Sequence, residues 1–326
     1  MLYRTALHDA LVEEMDRDQK VYLMGEDIGR FGGAYRVTDG LLDKYGEMRV
    51  VDTPIAEEVI VGCAIGSAML GLKPVVEMMT VNFSLVAFDQ IVQSAAKIRY
   101  MFGGQSQVQM VIRMPGGAGH QLSAQHSHSF EALYGMIPGL LVVAPTTPED
   151  AKGLLKSAIR TPDPVMFLES MSLYNMKGEV PDDEYLTPIG KAALRREGND
   201  LTIVGVSRQA VLAQLAAQKL EEHDVDAEVI DLRSIRPIDW QPIVDSVKKT
   251  NRLLVVEEGW PTYGVSAEIA AGIQKRCFDY LDGPIERIGG AEVPMPYNQQ
   301  LEKLAIPSSD DIIRRALEMV GKVAEG

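Results

Sequence analysis

Residues 50–81 read VVDTPIAEEVIVGCAIGSAMLGLKPVVEMMTV, and they indicate the fold most directly. The β-rich runs Val50–Asp52 and Pro74–Val81 enclose an apolar stretch, Val59–Leu72, which is too short to span a bilayer and is typical of a buried helix. Apolar strands without alternation are expected in a parallel sheet that is covered by helices on both faces. The stretch therefore predicts a strand–helix–strand unit of a doubly wound α/β sheet.

The same alternation extends along the first two thirds of the chain. A helix should begin at Thr147, where a hydroxyl cap is followed by Pro148 and two acids. Another helical stripe is expected over Ser84–Tyr100. The remaining strands of this part are expected at Val21–Met24, Val108–Met114, Leu140–Ala144 and Pro164–Leu168.

A second α/β unit is expected in the last third of the chain. The polar residues 171–199 form an exposed, partly structured connection in this interpretation. Strands are then expected at Leu201–Val206, Glu228–Leu232 and Leu253–Glu257, and helices at Ala210–Glu222, Asp239–Thr250, Gly264–Arg276 and Ser309–Val320. The sequence thus predicts two doubly wound domains, residues 1–185 and residues 186–326.

The chain is acidic, since 32 Lys and Arg residues stand against 46 Asp and Glu residues and give a formal net charge of −14. Such a surface is a poor general binder of nucleic acid or of anionic membranes. The N-terminal residues show no signal or transit pattern, and Cys63 and Cys277 form no Cys-x-x-Cys pair. We therefore expect a bacterial cytoplasmic protein, although a mature organellar form would show the same features.

Acidic and aromatic residues follow two of the predicted strands, at the edge where ligands bind in open α/β sheets. Glu57 and Glu58 follow Val50–Asp52 and suit the charge at the start of a helix. That helix continues with Gly62 and Gly66, whose small size lets another backbone approach, so an acid at its edge would lie in an interface with a raised pKa. Phe83 follows the next strand and is either a core residue or a flat platform for a ring.

Three of the five histidines lie close together after the strand Val108–Met114. Glycines precede His120, and His126 and His128 follow in the segment Gln125–His128. A zinc site is one interpretation, but no carboxylate partner is evident, so a general acid–base role on a functional loop is favoured. Solvated histidines remain the alternative for His120 and His128. The sequence has no Gly-Asp-Gly, Gly-x-Ser-x-Gly or P-loop motif, so the chain could hold half of a cofactor site.

Several motifs occur together in an order that is far more specific than any one of them. They are Gly25–Asp27, Val51–Glu57, Ala124–Ser127, Ile235–Pro237, Val256–Trp260 and Val293–Tyr297. Together they resemble the β subunits of thiamin-diphosphate-dependent 2-oxoacid dehydrogenases, most closely those of the pyruvate type, over essentially the whole chain. The resemblance implies a transketolase-like pyrimidine-binding domain followed by a transketolase C-terminal domain.

The resemblance also implies partners. The family forms α2β2 heterotetramers with active sites at the α/β interfaces, where the α subunit holds the cofactor diphosphate through Mg²⁺. The expected reaction is oxidative decarboxylation of pyruvate with reductive acetylation of the lipoyl group of a dihydrolipoyl acyltransferase, whose core would also be a docking partner. The alternatives are a branched-chain 2-oxoacid or acetoin as substrate, or a non-catalytic scaffold subunit with the same fold.

The site residues follow from the matching positions. By resemblance, Glu57 bonds the N1′ atom of the aminopyrimidine ring, Met79 and Phe83 lie against that ring, and His126 is the active-site histidine that helps place or protonate the lipoyl sulfur. A structural potassium ion is also expected. This chain departs from the family at two of the potassium positions, which in relatives are acidic where Thr161 stands and an amide where Asp163 stands. The expected potassium ligands are Met110, Ala158, Ile159, Thr161 and Asp163.

Overall fold

The structure is a computed structural model that describes residues 1–322. The chain divides into two compact units. The first contains Met1–Gly116 and Leu133–Ile189, and the second contains Gly117–Ala132 and the chain from Gly190 onward. The segment that carries the three clustered histidines therefore packs with the second unit, although it follows a strand of the first.

The first unit is built on a parallel sheet. Its strands are β1 (Val21–Gly25), β2 (Val50–Asp52), β3 (Lys73–Glu77), β4 (Val111–Gly116), β5 (Leu141–Val143) and β6 (Val165–Ser170). They lie side by side in the order β5-β6-β4-β3-β1-β2, and each neighbouring pair is parallel. Their carboxyl ends therefore share one edge, as the sequence predicted for a doubly wound sheet.

Helices follow most of these strands. They are α1 (Tyr3–Arg17), α2 (Leu41–Tyr45), α3 (Glu57–Met69), α4 (Ile98–Met101), α5 (Glu131–Gly135) and α6 (Pro148–Arg160). The predicted helix start at Thr147 is confirmed, because the Thr147 side chain accepts a hydrogen bond of 3.1 Å from the Asp150 amide and Pro148 opens the helix.

The structure differs from the sequence prediction after β3, which ends at Glu77 rather than at Val81. The chain turns there into a 3₁₀-helix, Val81–Leu85. A single helix over Ser84–Tyr100 is also wrong, because a π-helix, Gln90–Ala95, interrupts it. The Ala96 amide donates to the Ile91 carbonyl at 3.0 Å across five residues. Ile91 and Ala95, which are four residues apart, are both buried within the π-helix.

The connection after β6 is less exposed than predicted. Met171, Leu173 and Tyr174 are buried. The Tyr174 hydroxyl donates a hydrogen bond of 2.7 Å to the buried Glu169 carboxylate. Polar composition over residues 171–199 therefore concealed a short buried 3₁₀-helix, Met171–Leu173.

The second unit contains a mixed sheet. Its strands are β7 (Ala193–Arg196), β8 (Leu201–Gly205), β9 (Ala227–Asp231), β11 (Leu253–Val256) and β12 (Glu286–Ile288). The unit also contains the short strand β10 (Ser234–Arg236), which is not part of this sheet. The order is β12-β11-β8-β9-β7, with β7 antiparallel to β9 and the other neighbours parallel. The sequence prediction missed β7, an edge strand of which half is the charged pair Arg195 and Arg196, and also the short strands β10 and β12.

The helices of this unit are α7 (Arg208–Leu220), α8 (Trp240–Thr250), α9 (Val265–Cys277), α10 (Gln299–Ala305) and α11 (Ser309–Met319). The last helix begins with a reciprocal capping box between Ser308 and Asp311, and it buries Ile312 and Leu317 in the core. The predicted α/β class is confirmed in both units.

A buried cation joins three neighbouring strands of the first sheet. Arg113 on β4 donates to the Glu169 carboxylate on β6 at 2.7 and 2.9 Å, and to Glu77 Oε2 on β3 at 2.5 Å. The Arg113 side chain is 1% exposed. Burial raises the pKa of Glu77, and the Arg113 guanidinium opposes that shift. The three buried charges thus compensate one another.

Replacing Arg113 with methionine should lower the free energy of unfolding by about 3–5 kcal/mol, because two buried carboxylates lose their cation. Arg99→Met is the matched control, since Arg99 pairs with Asp163 at the surface of the same unit. That change should cost about 0–1 kcal/mol. Urea denaturation of both variants checks the difference, and equal costs would contradict it.

Candidate functional site

The carboxyl edge of the first sheet carries buried oxygen atoms that are not satisfied within the described residues. Glu26 follows β1, Thr53 follows β2 and Thr80 follows β3, and these strands are neighbours in the order β3-β1-β2. Glu26 Oε1, Thr53 Oγ1 and Thr80 Oγ1 are buried without a hydrogen-bond partner in residues 1–322. Buried polar atoms are almost always paired, so this edge suits a bound polar group.

Glu57 lies at the same edge, as the first residue of α3, which follows β2. Its side chain is buried, whereas its neighbour Glu58 is exposed. Burial raises the pKa of Glu26, and the charge of Glu57 raises it further. An exposed acid would be enough to stabilise the helix dipole. The burial of Glu57 beside Glu26 therefore favours a functional role for Glu57 over a purely electrostatic one.

Met79 and Phe83 come after β3 and are partly exposed, so each can contact a ring. Phe83 is held by a hydrogen bond of 3.2 Å from its amide to the Thr80 carbonyl. The fold thus brings Glu57, Met79 and Phe83 to one edge of one unit. The sequence alternative of a core phenylalanine does not describe Phe83, because core phenylalanines such as Phe167 are fully buried here.

His126 belongs to the second unit, in the segment that we call the histidine loop, residues 117–130. The loop is closed on itself, because the Gly117 amide donates to the His128 carbonyl at 2.9 Å and the His126 amide donates to the Ser123 carbonyl at 3.3 Å. His126 is partly buried and His120 is exposed.

His128 packs as an aromatic side chain. Its ring stacks on Phe130 with centroids 4.8 Å apart and meets Trp260 edge-on at 5.7 Å. Burial lowers the pKa of His128. Residues 1–322 contain no group of three or more His, Cys, Asp or Glu side chains arranged for a metal ion. The stacking therefore favours a structural role for His128 over the zinc interpretation.

The histidine loop contacts the carboxyl ends of strands in the second unit. In the order β12-β11-β8-β9-β7, the chain leaves β8 and β11 in opposite directions, so the crevice between these two strands is the topological switch point. Glu258 follows β11 and faces Arg208, which follows β8, at 3.6 Å. The Ala118 amide donates to Glu258 Oε1 at 2.6 Å, so the loop lies at the place where doubly wound domains bind ligands.

Sequence reasoning missed three acidic residues around this loop. They are Glu131 at the start of α5, Glu258 after β11, and Glu302 on α10. Glu258 follows a predicted strand, so the rule that selected Glu57 could have selected it. Burial, followed by the charges of Glu258 and Glu257, raises the pKa of Glu131 to about 7. Burial also raises the pKa of Glu258, against the opposing charge of Arg208.

The positions expected to bind potassium already have partners in the chain. Asp163 pairs with Arg99, the Ile159 carbonyl accepts from Gln109 Nε2 at 2.8 Å, and Ala158 and Met110 accept from backbone amides. The Thr161 hydroxyl donates to the Ser157 carbonyl. A carbonyl oxygen that accepts one hydrogen bond has a second lone pair with which it can coordinate an ion, so the potassium site stays a prediction. At Asp163, however, the chain already supplies a cation, Arg99.

Comparison with known proteins finds relatives that match this chain over nearly its full length. The β-1 subunit of the mitochondrial pyruvate dehydrogenase E1 component of Arabidopsis thaliana is 53% identical over 318 residues, which cover 96% of this chain and 88% of that protein. The corresponding β subunit of Rickettsia felis is 52% identical over 310 residues, 95% of each chain. This chain belongs to the pyruvate dehydrogenase E1 β-subunit family. The family predicted from the motifs is confirmed.

Family models and a solved structure agree with the two-part fold. The model "Transketolase, pyrimidine binding domain" matches residues 1–177 and "Transketolase, C-terminal domain" matches residues 190–312. A split-gene transketolase, described as an inactive β4 tetramer, superposes with a TM-score of 0.81 at 22% identity over 99% of both chains. The fold is thus transketolase-like, while the domain limit at 185 and 186 stays a prediction. In the described part of this E1 β-family chain, every helix is too short or too polar to span a bilayer.

Stability should depend on pH through Glu131. Its pKa is about 7 in the folded chain against an ordinary value of 4.5, so the neutral carboxyl stabilises the fold at low pH and this contribution is lost as pH rises through 7. The variant Glu131→Gln cannot ionise there. Its unfolding free energy, relative to the unaltered chain, should rise between about pH 5 and about pH 8 in chemical denaturation. Parallel pH profiles for the two proteins would contradict this assignment.

Proposed function

We propose that this chain is the β subunit of a pyruvate dehydrogenase E1 component and that it acts only with an α subunit. The reaction is the oxidative decarboxylation of pyruvate with transfer of the acetyl group to the lipoyl group of a dihydrolipoyl acyltransferase. The observation that carries this proposal is a sequence identity of 53% and 52%, over nearly the full length, with two curated E1 β subunits. The buried acidic edge of the first unit supports it.

The residues of that edge suit the pyrimidine end of thiamin diphosphate. When bound, the cofactor supplies the nucleophilic carbon and the electron sink for decarboxylation. Glu57 is buried at the start of α3, where its carboxyl could hydrogen-bond the N1′ atom of the ring. Glu26 Oε1 at the same edge is buried without a hydrogen-bond partner in the described residues. Met79 and Phe83 are partly exposed and supply apolar and aromatic surface for the ring.

The chain is proposed to hold only this half of the cofactor site. It has no Gly-Asp-Gly motif, so the diphosphate and its Mg²⁺ would be held by the α subunit. The surface of the first unit supports a partner chain there, because Ile55, Val59 and Leu70 are 79%, 60% and 88% exposed on and beside α3. A would-be Cβ at Gly66 meets no atom of the described chain within 4 Å, so a second backbone can approach α3 closely.

His126 is proposed to act in the second half of the reaction. Its ring can hold or donate a proton at the lipoyl sulfur, which needs protonation when the disulfide is opened. A scaffold subunit would have no chemical reason to keep His126 together with a buried Glu57 and a partly exposed Phe83. These three residues favour the catalytic proposal over the scaffold alternative.

Glu57→Gln should lower turnover of the reconstituted α/β enzyme by about 10²-fold or more, because the amide cannot exchange a proton with the ring. Glu58→Gln is the matched control, since Glu58 is the exposed neighbour in the same helical turn. Turnover with pyruvate and an artificial electron acceptor measures the effect, and circular dichroism and gel filtration check fold and assembly. Unchanged turnover in Glu57→Gln would remove Glu57 from the mechanism.

The split site also predicts what each chain does alone. This chain alone should show no decarboxylase activity, whereas co-expression with an α chain that carries Gly-Asp-Gly should give turnover with pyruvate. A substrate panel of pyruvate, 2-oxoisovalerate and acetoin tests the substrate. Activity of this chain alone would contradict the split site, and a preference for either other substrate would contradict the assignment to pyruvate.

A further inference from the structure

Two carboxylates of the second unit contact the backbone of the histidine loop directly. Glu258 Oε1 accepts from the Ala118 amide at 2.6 Å. Glu302 Oε1 accepts from the Gly119 amide at 2.9 Å, and both oxygens of Glu302 accept from the Gln121 amide at 3.1 Å. Amides that converge in this way form a concave nest for an anion, and here the chain's own carboxylates fill it.

The loop needs such support because its backbone is strained. Gly117 and Gly119 have φ values of +87° and +103°, and the non-glycine residues Gln121 and Ser123 have φ values of +55° and +66°. Left-handed conformations of non-glycine residues are costly and persist only where surrounding contacts hold them. The strained stretch ends at Ser123, whose carbonyl accepts the His126 amide at 3.3 Å. A displacement of the amides that bind Glu258 and Glu302 would therefore be transmitted to His126 through residues 121–126.

Both carboxylates are themselves fixed. Glu302 is buried on α10, and the Asn298 side chain caps that helix by accepting from the amides of Gln300 and Leu301 at 2.9 and 3.2 Å. Glu258 follows β11 and faces the Arg208 guanidinium at 3.6 Å. Hydrogen bonds from amides to ionised carboxylates are stronger than those between neutral groups. The loop is thus tied to a strand end and to a capped helix.

We infer that Glu302 and Glu258 are positioning residues, which hold the histidine loop in the conformation that presents His126 to the lipoyl group. The role in the lipoyl step rests on the proposed function. We call the contacts of Glu302 and Glu258 with the histidine loop the clamp. The clamp is observed directly in the structure. Neither carboxylate is required to touch substrate or cofactor.

Hydrogen exchange of the full chain, alone and with its α partner, tests the clamp. Glu302→Ala should raise the exchange of amides in residues 117–123 about fivefold to tenfold, since two amides lose their acceptor. Glu302→Gln keeps one acceptor oxygen and should show a smaller rise. Glu268→Ala is the matched control, because Glu268 is an exposed carboxylate on α9 of the same unit, and it should leave the loop unchanged. Unchanged loop exchange in both Glu302 variants would overturn the inference.

Kinetics separate positioning from a general loss of structure. In the α/β enzyme, Glu302→Ala should lower kcat/KM for acetylation of a lipoyl domain about tenfold more than it lowers turnover with an artificial acceptor, because only the first reaction uses the positioned histidine. Glu302→Gln should recover part of the difference. Equal losses in both reactions would overturn the positioning role. If the unaltered enzyme fails to turn over a 2-oxoacid, the proposed function fails, and the exchange measurement alone decides the clamp.

Discussion

The buried guanidinium of Arg113 is the charge on which the first unit depends. It cannot be neutralised by losing its proton, so the sheet must bring Glu77 and Glu169 to it from the strands on either side. Glu77 in turn restricts the chain after β1. A Cβ at Gly33 would lie 2.9 Å from Glu77 Oε1, and the φ of +80° at Gly33 also favours glycine. Since the Gly33 amide donates to the Asp27 carbonyl, this contact helps fix the turn that carries Glu26.

Burying these charges is unfavourable in itself, and apolar residues of similar size would give at least as stable a sheet. What an ion cluster adds is a single arrangement, because a shift of β3 or β6 by one residue would leave the Arg113 charge without one of its acids. That fixed register matters at the carboxyl edge, where the residues after β1, β2 and β3 would all have to reach the proposed pyrimidine ring. The buried ion cluster thus lowers the stability of the sheet but fixes the positions of the side chains at its carboxyl edge.

The order of strands and helices could be predicted from the sequence, because apolar runs and capping residues are local signals. Glu57 and Phe83 could be predicted for the same reason, since parallel topology places whatever follows a strand at one edge. The clamp that Glu258 and Glu302 form could not be predicted from the sequence. Glu258 and Glu302 contact the histidine loop across 140 and 183 residues of sequence, and no spacing encodes such contacts. The π-helix at Gln90–Ala95 was missed because its period differs from that of the α-helix.

The carboxylates at the two acidic edges of this chain differ in whether they have hydrogen-bond partners. In the second unit, Glu258 and Glu302 accept hydrogen bonds from amides of the histidine loop, and Glu258 faces the cation Arg208, so both carboxylates have partners within the chain. Other polar atoms of that unit, among them Ser127 Oγ and Arg208 Nη1, are buried without a hydrogen-bond partner in residues 1–322. In the first unit, Glu26 Oε1 is buried without a partner in the described residues, and apolar side chains beside Glu57 face solvent. An unsatisfied buried oxygen costs about 1–3 kcal/mol, and a hydrogen bond from a bound molecule would remove that cost at Glu26. The carboxylates of the first edge therefore suit completion by another molecule, whereas those of the second edge already bind the backbone of a loop.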